Sequence, residues 1–223
     1  LLGNGYGETA AKIVGVYPVG DDFLNSPEVL EKAEKGFARV VGHFPDQAMS
    51  IAREFLPPDY LDRTSTRELI KETYISRLEE NLINAMEIVE NFGDYLPQEV
   101  TGGKIWQSDY AEKLKKGIFK YIENNWHGIE EVKARFGIPK DVLQDETFKK
   151  LVIETLRHAI KWADRERADN VILTLELEPE IWREVLTSDF LEKIFSEGRF
   201  DRFTEFLGES SAGIEADPKE LEI

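Results

Sequence analysis

Three histidines, His43, His127 and His158, are the first residues to test for chemistry. A helical zinc site sets two ligands four residues apart on one face, and none of the three has such a partner. The chain also contains no cysteine, which removes disulfides, thiolate nucleophiles and Cys-bound zinc together. Acid pairs are frequent: Asp21-Asp22, Glu79-Glu80, Glu130-Glu131 and the run Glu176-Leu177-Glu178-Pro179-Glu180. Paired carboxylates act as general acid and base only where one of them is desolvated. With 44 acids in the chain, such neighbours follow from composition and read as solvated helix faces. Gly102-Gly103-Lys104 resembles the end of a phosphate loop, yet it lacks the upstream glycine and the following Ser or Thr. There is no Gly-x-Ser-x-Gly elbow and no Ser/His/Asp set. The residues therefore assign no catalytic role, no cofactor and no metal, and the expectation is a non-enzymatic protein.

Charge narrows the partners. Lys and Arg number 28 against 44 Asp and Glu, for a net charge of −16. Residues 1–111 carry 19 acids and 10 bases, and residues 112–223 carry 25 and 18, so the acidity is spread along the chain. Such a field repels phosphate backbones and anionic membranes and favours basic protein or peptide partners. The most basic stretch is Lys113, Lys115, Lys116 and Lys120 with Phe119 and Tyr121, followed by Lys133 and Arg135. Glu112, Glu123, Glu130 and Glu131 interrupt it, which ranks nucleic acid as the third reading. No run approaches the roughly 18 apolar residues of a membrane span, and Leu1-Leu2-Gly-Asn-Gly is not a signal peptide. A cytoplasmic location is the expectation.

The elements that would hold these residues emerge from internal similarity. Ala33, Ile70, Leu114 and Val152 fall in one column, at intervals of 37, 44 and 38 residues. The same intervals relate Phe37, Tyr74, Ile118 and Leu156, then Val41, Leu78, Ile122 and Ile160. Spacing of four residues between columns places them along one side of a first helix. A second helix follows, with columns Ala48/Ala85/Ile129/Ala168, Ile51/Ile88/Val132/Val171 and Phe55/Phe92/Phe136/Leu175. Pro57, Pro97, Pro139 and Pro179 then stop it in turn. Ser26-Pro27-Glu28 is a helix start, and Asp46, Ser108 and Asp145 stand where further caps would serve. A small column of Gly36, Thr73, Gly117 and Thr155 implies close approach of a neighbouring helix, since glycine costs about 1 kcal/mol in a helix.

The predicted architecture is all-α: a right-handed array of antiparallel helical hairpins, an α-solenoid-like superhelix with a repeat of 37–44 residues. The expected organisation is a single helical-repeat domain over 1–207, with units at about 26–63, 64–107, 108–144 and 145–186. Partial units cover 1–25 and 187–207, and an acidic tail covers 208–223. Ala10, Ile13, Tyr17 and Pro18 read as a second helix without its first, which implies residues upstream. Phe200, Phe203 and Leu207 read as the last second helix, after a shortened first helix near Phe190–Phe195.

From Ala10 to Leu207 the chain resembles the helical-hairpin repeat proteins of the tetratricopeptide, pentatricopeptide and HEAT-like class. The Gly36-Phe37 pair and Ala48, Ala85 and Ala168 carry the likeness. The units are longer than the roughly 34 residues of a tetratricopeptide, so the resemblance is to the class. It implies a protein-interaction scaffold. A helical ligand-binding domain or enzyme with an acidic pocket is the second reading. The 44-residue interval adds about seven residues between Phe92 and Asp109, and insertions in such arrays gather on one, often binding, face. Tyr95, Lys104, Ile105 and Trp106 in that stretch are the candidate partner-binding loop, with Trp106 as its anchor.

Overall fold

The computed structural model describes residues 2–6, 9, 10, 12, 20–124 and 128–208. Ile13, Tyr17, Pro18, His127 and the tail beyond Gly208 lie outside the described residues. Among those described, the secondary structure is helical throughout, with no strand. The helices that matter below are α1 (Pro27–Val40), α2 (Pro45–Phe55), α3 (Thr64–Glu80), α4 (Leu82–Phe92), α5 (Ala111–Asn124) and α6 (Ile129–Phe136). They continue with α7 (Glu146–Trp162), α8 (Arg165–Leu175), α9 (Ile181–Val185), α10 (Ser188–Ser196) and α11 (Phe200–Gly208).

The chain divides into two compact units. The first is Leu1–Tyr121 with Arg135–Gly137; the second is Ile122–Ala134 with Ile138–Ile223. In the first unit α1 packs on α2, α3 on α4, and α2 on α4. In the second, α7 packs on α8, α9 and α11.

Every residue of the six apolar columns is buried, from Ala33 and Phe37 through to Val171 and Leu175. That is the physical content of the repeat: one side of each helix meets its neighbours and nothing else. Within the small column, Gly117 sits at a close approach. A Cβ on Gly117 would fall on the carbonyl oxygen of Leu78 in α3, so α5 and α3 touch backbone to backbone there.

Helix ends are satisfied in two ways. Asp145 caps α7, its carboxylate accepting from the amides of Thr147 and Phe148. Asn81 and Asp164 cap α4 and α8 likewise. Asp46 sits inside the first turn of α2 instead, where an acid favours the helix dipole. Ser108 binds its own turn, donating to Ile105 O at 2.7 Å and accepting from the Tyr110 amide. At the other ends, a side chain from further along the chain reaches back to a carbonyl in, or just past, the last turn of a first helix. Asn84 donates to Gly42 O at 3.0 Å, Lys120 to Glu80 O at 3.2 Å and Arg199 to Lys161 O at 3.1 Å. These carbonyls have no partner inside their own helix.

The last helix corrects one expectation. Phe203 and Phe206 are the buried residues of α11, whereas Phe200 is 55% exposed and Leu207 half-buried. Phe206 instead takes an edge-on ring contact from Trp182.

Tyr74 offers a test of the core. Its ring is fully buried, its hydroxyl has no hydrogen-bond partner, and burial holds the phenol well above its usual pKa. Replacing it with Phe removes a desolvated polar group, so Tyr74→Phe should leave stability unchanged or raise it by up to about 1 kcal/mol. A loss of similar size in a urea melt would mean that the hydroxyl is bonded.

Candidate functional site

The first unit holds a cleft of about 370 Å³, at the small end of ligand sites, lined by α2, α4 and the loops that follow them. Its apolar part comes from Met49, Ala52, Leu56 and Leu61, all nearly buried. They lie there because α2 turns one face to the core while Pro57 and Pro58 stop it and carry the chain across to Leu61. At the mouth stand the exposed Arg53 and Asp94, the half-buried Asn91, and Tyr95. The Arg67 guanidinium lies 5.8 Å from the Tyr95 ring centre, over its face, and is itself paired to Asp62 at 2.6 Å.

The flank of this cleft is acidic. Asn91 Nδ2 donates to Asp46 Oδ1 at 2.8 Å, which draws that carboxylate of α2 towards α4. On α4, Glu87 has its pKa raised, first by burial and then by the Asp46 and Glu90 carboxylates. Glu90 is engaged at 3.5 Å by Arg135. The arrangement can hold an apolar group in the cleft and a positive charge beside it. The lining contains no histidine, and its one carboxylate, Asp94, is exposed.

Of the four loop residues expected to meet a partner, Tyr95 alone lines the cleft. The insertion folds as three short 3-10 turns, Gly93–Tyr95, Gln98–Val100 and Gly102–Gln107. Ile105 is fully buried and holds the loop to the core rather than presenting surface. Trp106 is half-buried, and its indole N–H donates to Phe136 O at 2.9 Å. The tryptophan therefore tucks back onto its own unit. Lys104 remains exposed and donates to Gln98 Oε1 at 3.1 Å. Met49, Arg53, Leu61, Asn91 and Asp94 went unmarked by sequence. The available signal was that Pro57-Pro58 and Asp94-Tyr95 follow successive second helices, whose closing loops share an edge.

No family model, curated protein or solved structure matches the chain. The site stands on its geometry alone.

The remaining sequence-stressed residues take structural places. Among the described residues no group of three or more His, Asp or Glu could hold a metal ion, and no helix is long and apolar enough to cross a membrane. His43 lies 3.0 Å from an Arg77 nitrogen. In the basic stretch, Lys116 meets Glu79 at 3.8 Å, Lys120 a helix-end carbonyl, and Lys133 both Thr174 O and Glu176. Each of these three cations thus has a partner within the protein.

His158 stands between two donor groups, and its neutral ring can accept from one of them at a time. Trp162 Nε1 donates to its Nε2 at 3.1 Å, and an Arg167 nitrogen lies 2.9 Å from its Nδ1. Burial first, then Arg167 and Lys161, lower its pKa from the ordinary 6.5. A folded-state pKa below the unfolded one means that the unfolded chain binds the proton more readily. The neutral-ring contribution is thus fully present above pH 6.5 and is lost as pH falls from there towards the folded value. His158→Gln should flatten the stability–pH slope in that acid window and leave it unchanged above. Melts at a series of pH values check this; an unaltered slope would discount the site.

Proposed function

We propose that this chain is a protein-interaction scaffold without enzymatic activity, in which hairpins stack as an α-solenoid-like array and display one edge to a peptide or protein partner. The cleft lined by Met49, Leu61 and Tyr95 is the observation that carries this reading. It offers apolar side chains beside carboxylates, a pairing suited to a peptide partner. Repetition supports it too: units that bury one side against their neighbours leave the opposite surface in a regular row, suited to extended partners. The acidity of the whole chain favours basic partners and opposes nucleic acid. A cysteine-free chain of this kind suits a reducing compartment such as the cytoplasm.

The test is purification of the tagged full chain from cells, with and without nuclease, across a salt series. A stoichiometric protein complex that survives nuclease is the expected result. Recovery of nucleic acid alone, with a steep salt dependence, would replace the scaffold with an RNA-binding array.

A further inference from the structure

We infer that the cleft of the first unit takes an extended peptide segment in which a bulky apolar side chain stands next to a lysine or arginine. The inference rests on the scaffold reading and names what the scaffold would hold. Three features of the cleft select this occupant. Its floor includes the nearly buried apolar side chains of Met49, Leu56 and Leu61, within a lining that exposes more polar than apolar surface. Arg53, at the mouth, carries only donors, and a peptide carbonyl is the complementary acceptor. Asp94 stands at the mouth, and Asp46, bonded to the lining residue Asn91, adds its charge beside that of Glu87. A cation placed beside Asp46 and Glu87 relieves the repulsion between those two carboxylates.

An acidic segment would meet the opposite field, and a purely apolar one would leave the flanking carboxylates uncompensated. Tyr95 adds a rigid aromatic wall with a hydroxyl, the side-chain type that most often anchors interfaces. A small apolar molecule would fill the cleft but use neither Arg53 nor the acidic flank.

The experiment pans a random octapeptide display library against the full chain. Recovered sequences should share an apolar residue beside Lys or Arg. In fluorescence titration the strongest of them should bind about tenfold or more tighter than its counterpart with the cation changed to Glu. The double variant Glu87→Lys/Asp94→Lys, at exposed and half-exposed positions, should invert that preference, which a misfolded protein could not do. Tyr95→Ala should weaken both peptides. The inference is overturned if nothing is enriched, if recovered peptides are acidic, or if the charge-reversed variant keeps the parent's preference. It is equally overturned if N-acetyl-leucinamide binds as tightly as the octapeptide, which would make the cleft a small-molecule site. Failure here leaves the scaffold standing if the purified complex forms equally with parent and charge-reversed chains. Absence of any protein complex removes the scaffold instead.

Discussion

Gly117→Ala will destabilise the folded chain by about 2–3 kcal/mol, with more in reach if the helices are forced apart. The sign runs against propensity, because alanine is favoured over glycine by about 1 kcal/mol inside a helix. What decides it is the neighbour. The added methyl would land on the Leu78 carbonyl oxygen and within 2.8 Å of the Leu78 carbon. Those atoms are backbone in the last turn of α3, so no rotamer change clears them. Relief requires α3 and α5 to separate, which would loosen Leu78, Leu114 and Ile118, all fully buried. Gly93→Ala is the matched control, since its nearest neighbour would be Val89 Cγ1 at 3.9 Å. Urea midpoints of the two variants and the parent give the comparison. An unchanged or higher midpoint for Gly117→Ala would refute the close approach.

Phe92→Ala should cost about 3–5 kcal/mol, the usual range for emptying an aromatic site that cannot collapse. Phe92 closes α4 and is fully buried. Its ring meets Phe37 of α1 edge-on at 5.8 Å, and Phe37 in turn meets Tyr60 at 5.3 Å. The three rings tie the first pair of helices to the second, so truncating the terminal ring removes both transfer energy and edge-to-face contact. Phe200→Ala, on an exposed ring, should stay within about 0.5 kcal/mol. Equal losses for the two would mean that the column register is wrong, and a changed urea slope would point to the unfolded state instead.

The columns were legible because each depends on periodicity alone. A residue such as Ile70 is buried by every neighbour at once, so its type is constrained wherever the chain goes next. Capping was legible at Asp145 and was missed at Asn81 and Asp164, which cap their own helices in the same way. The register of α11 misled because Phe200, Phe203, Phe206 and Leu207 offer two overlapping apolar faces, and contacts with Trp182 and Arg165 select Phe206. The cleft was illegible for a different reason. Arg53 and Asp94 lie far apart in sequence and acquire a shared mouth only after α2 and α4 pack. Trp106 looked like an exposed anchor because nothing local reveals the Phe136 carbonyl that receives its N–H.

The reach-back of Asn84, Lys120 and Arg199 has a temporal consequence. Each donor lies 38–42 residues after the carbonyl it caps. A chain growing from its N-terminus at about 5–20 residues per second would therefore leave each of these helix ends open for roughly 2–8 s. During translation each of these turns between two helices waits for a donor made 38–42 residues later.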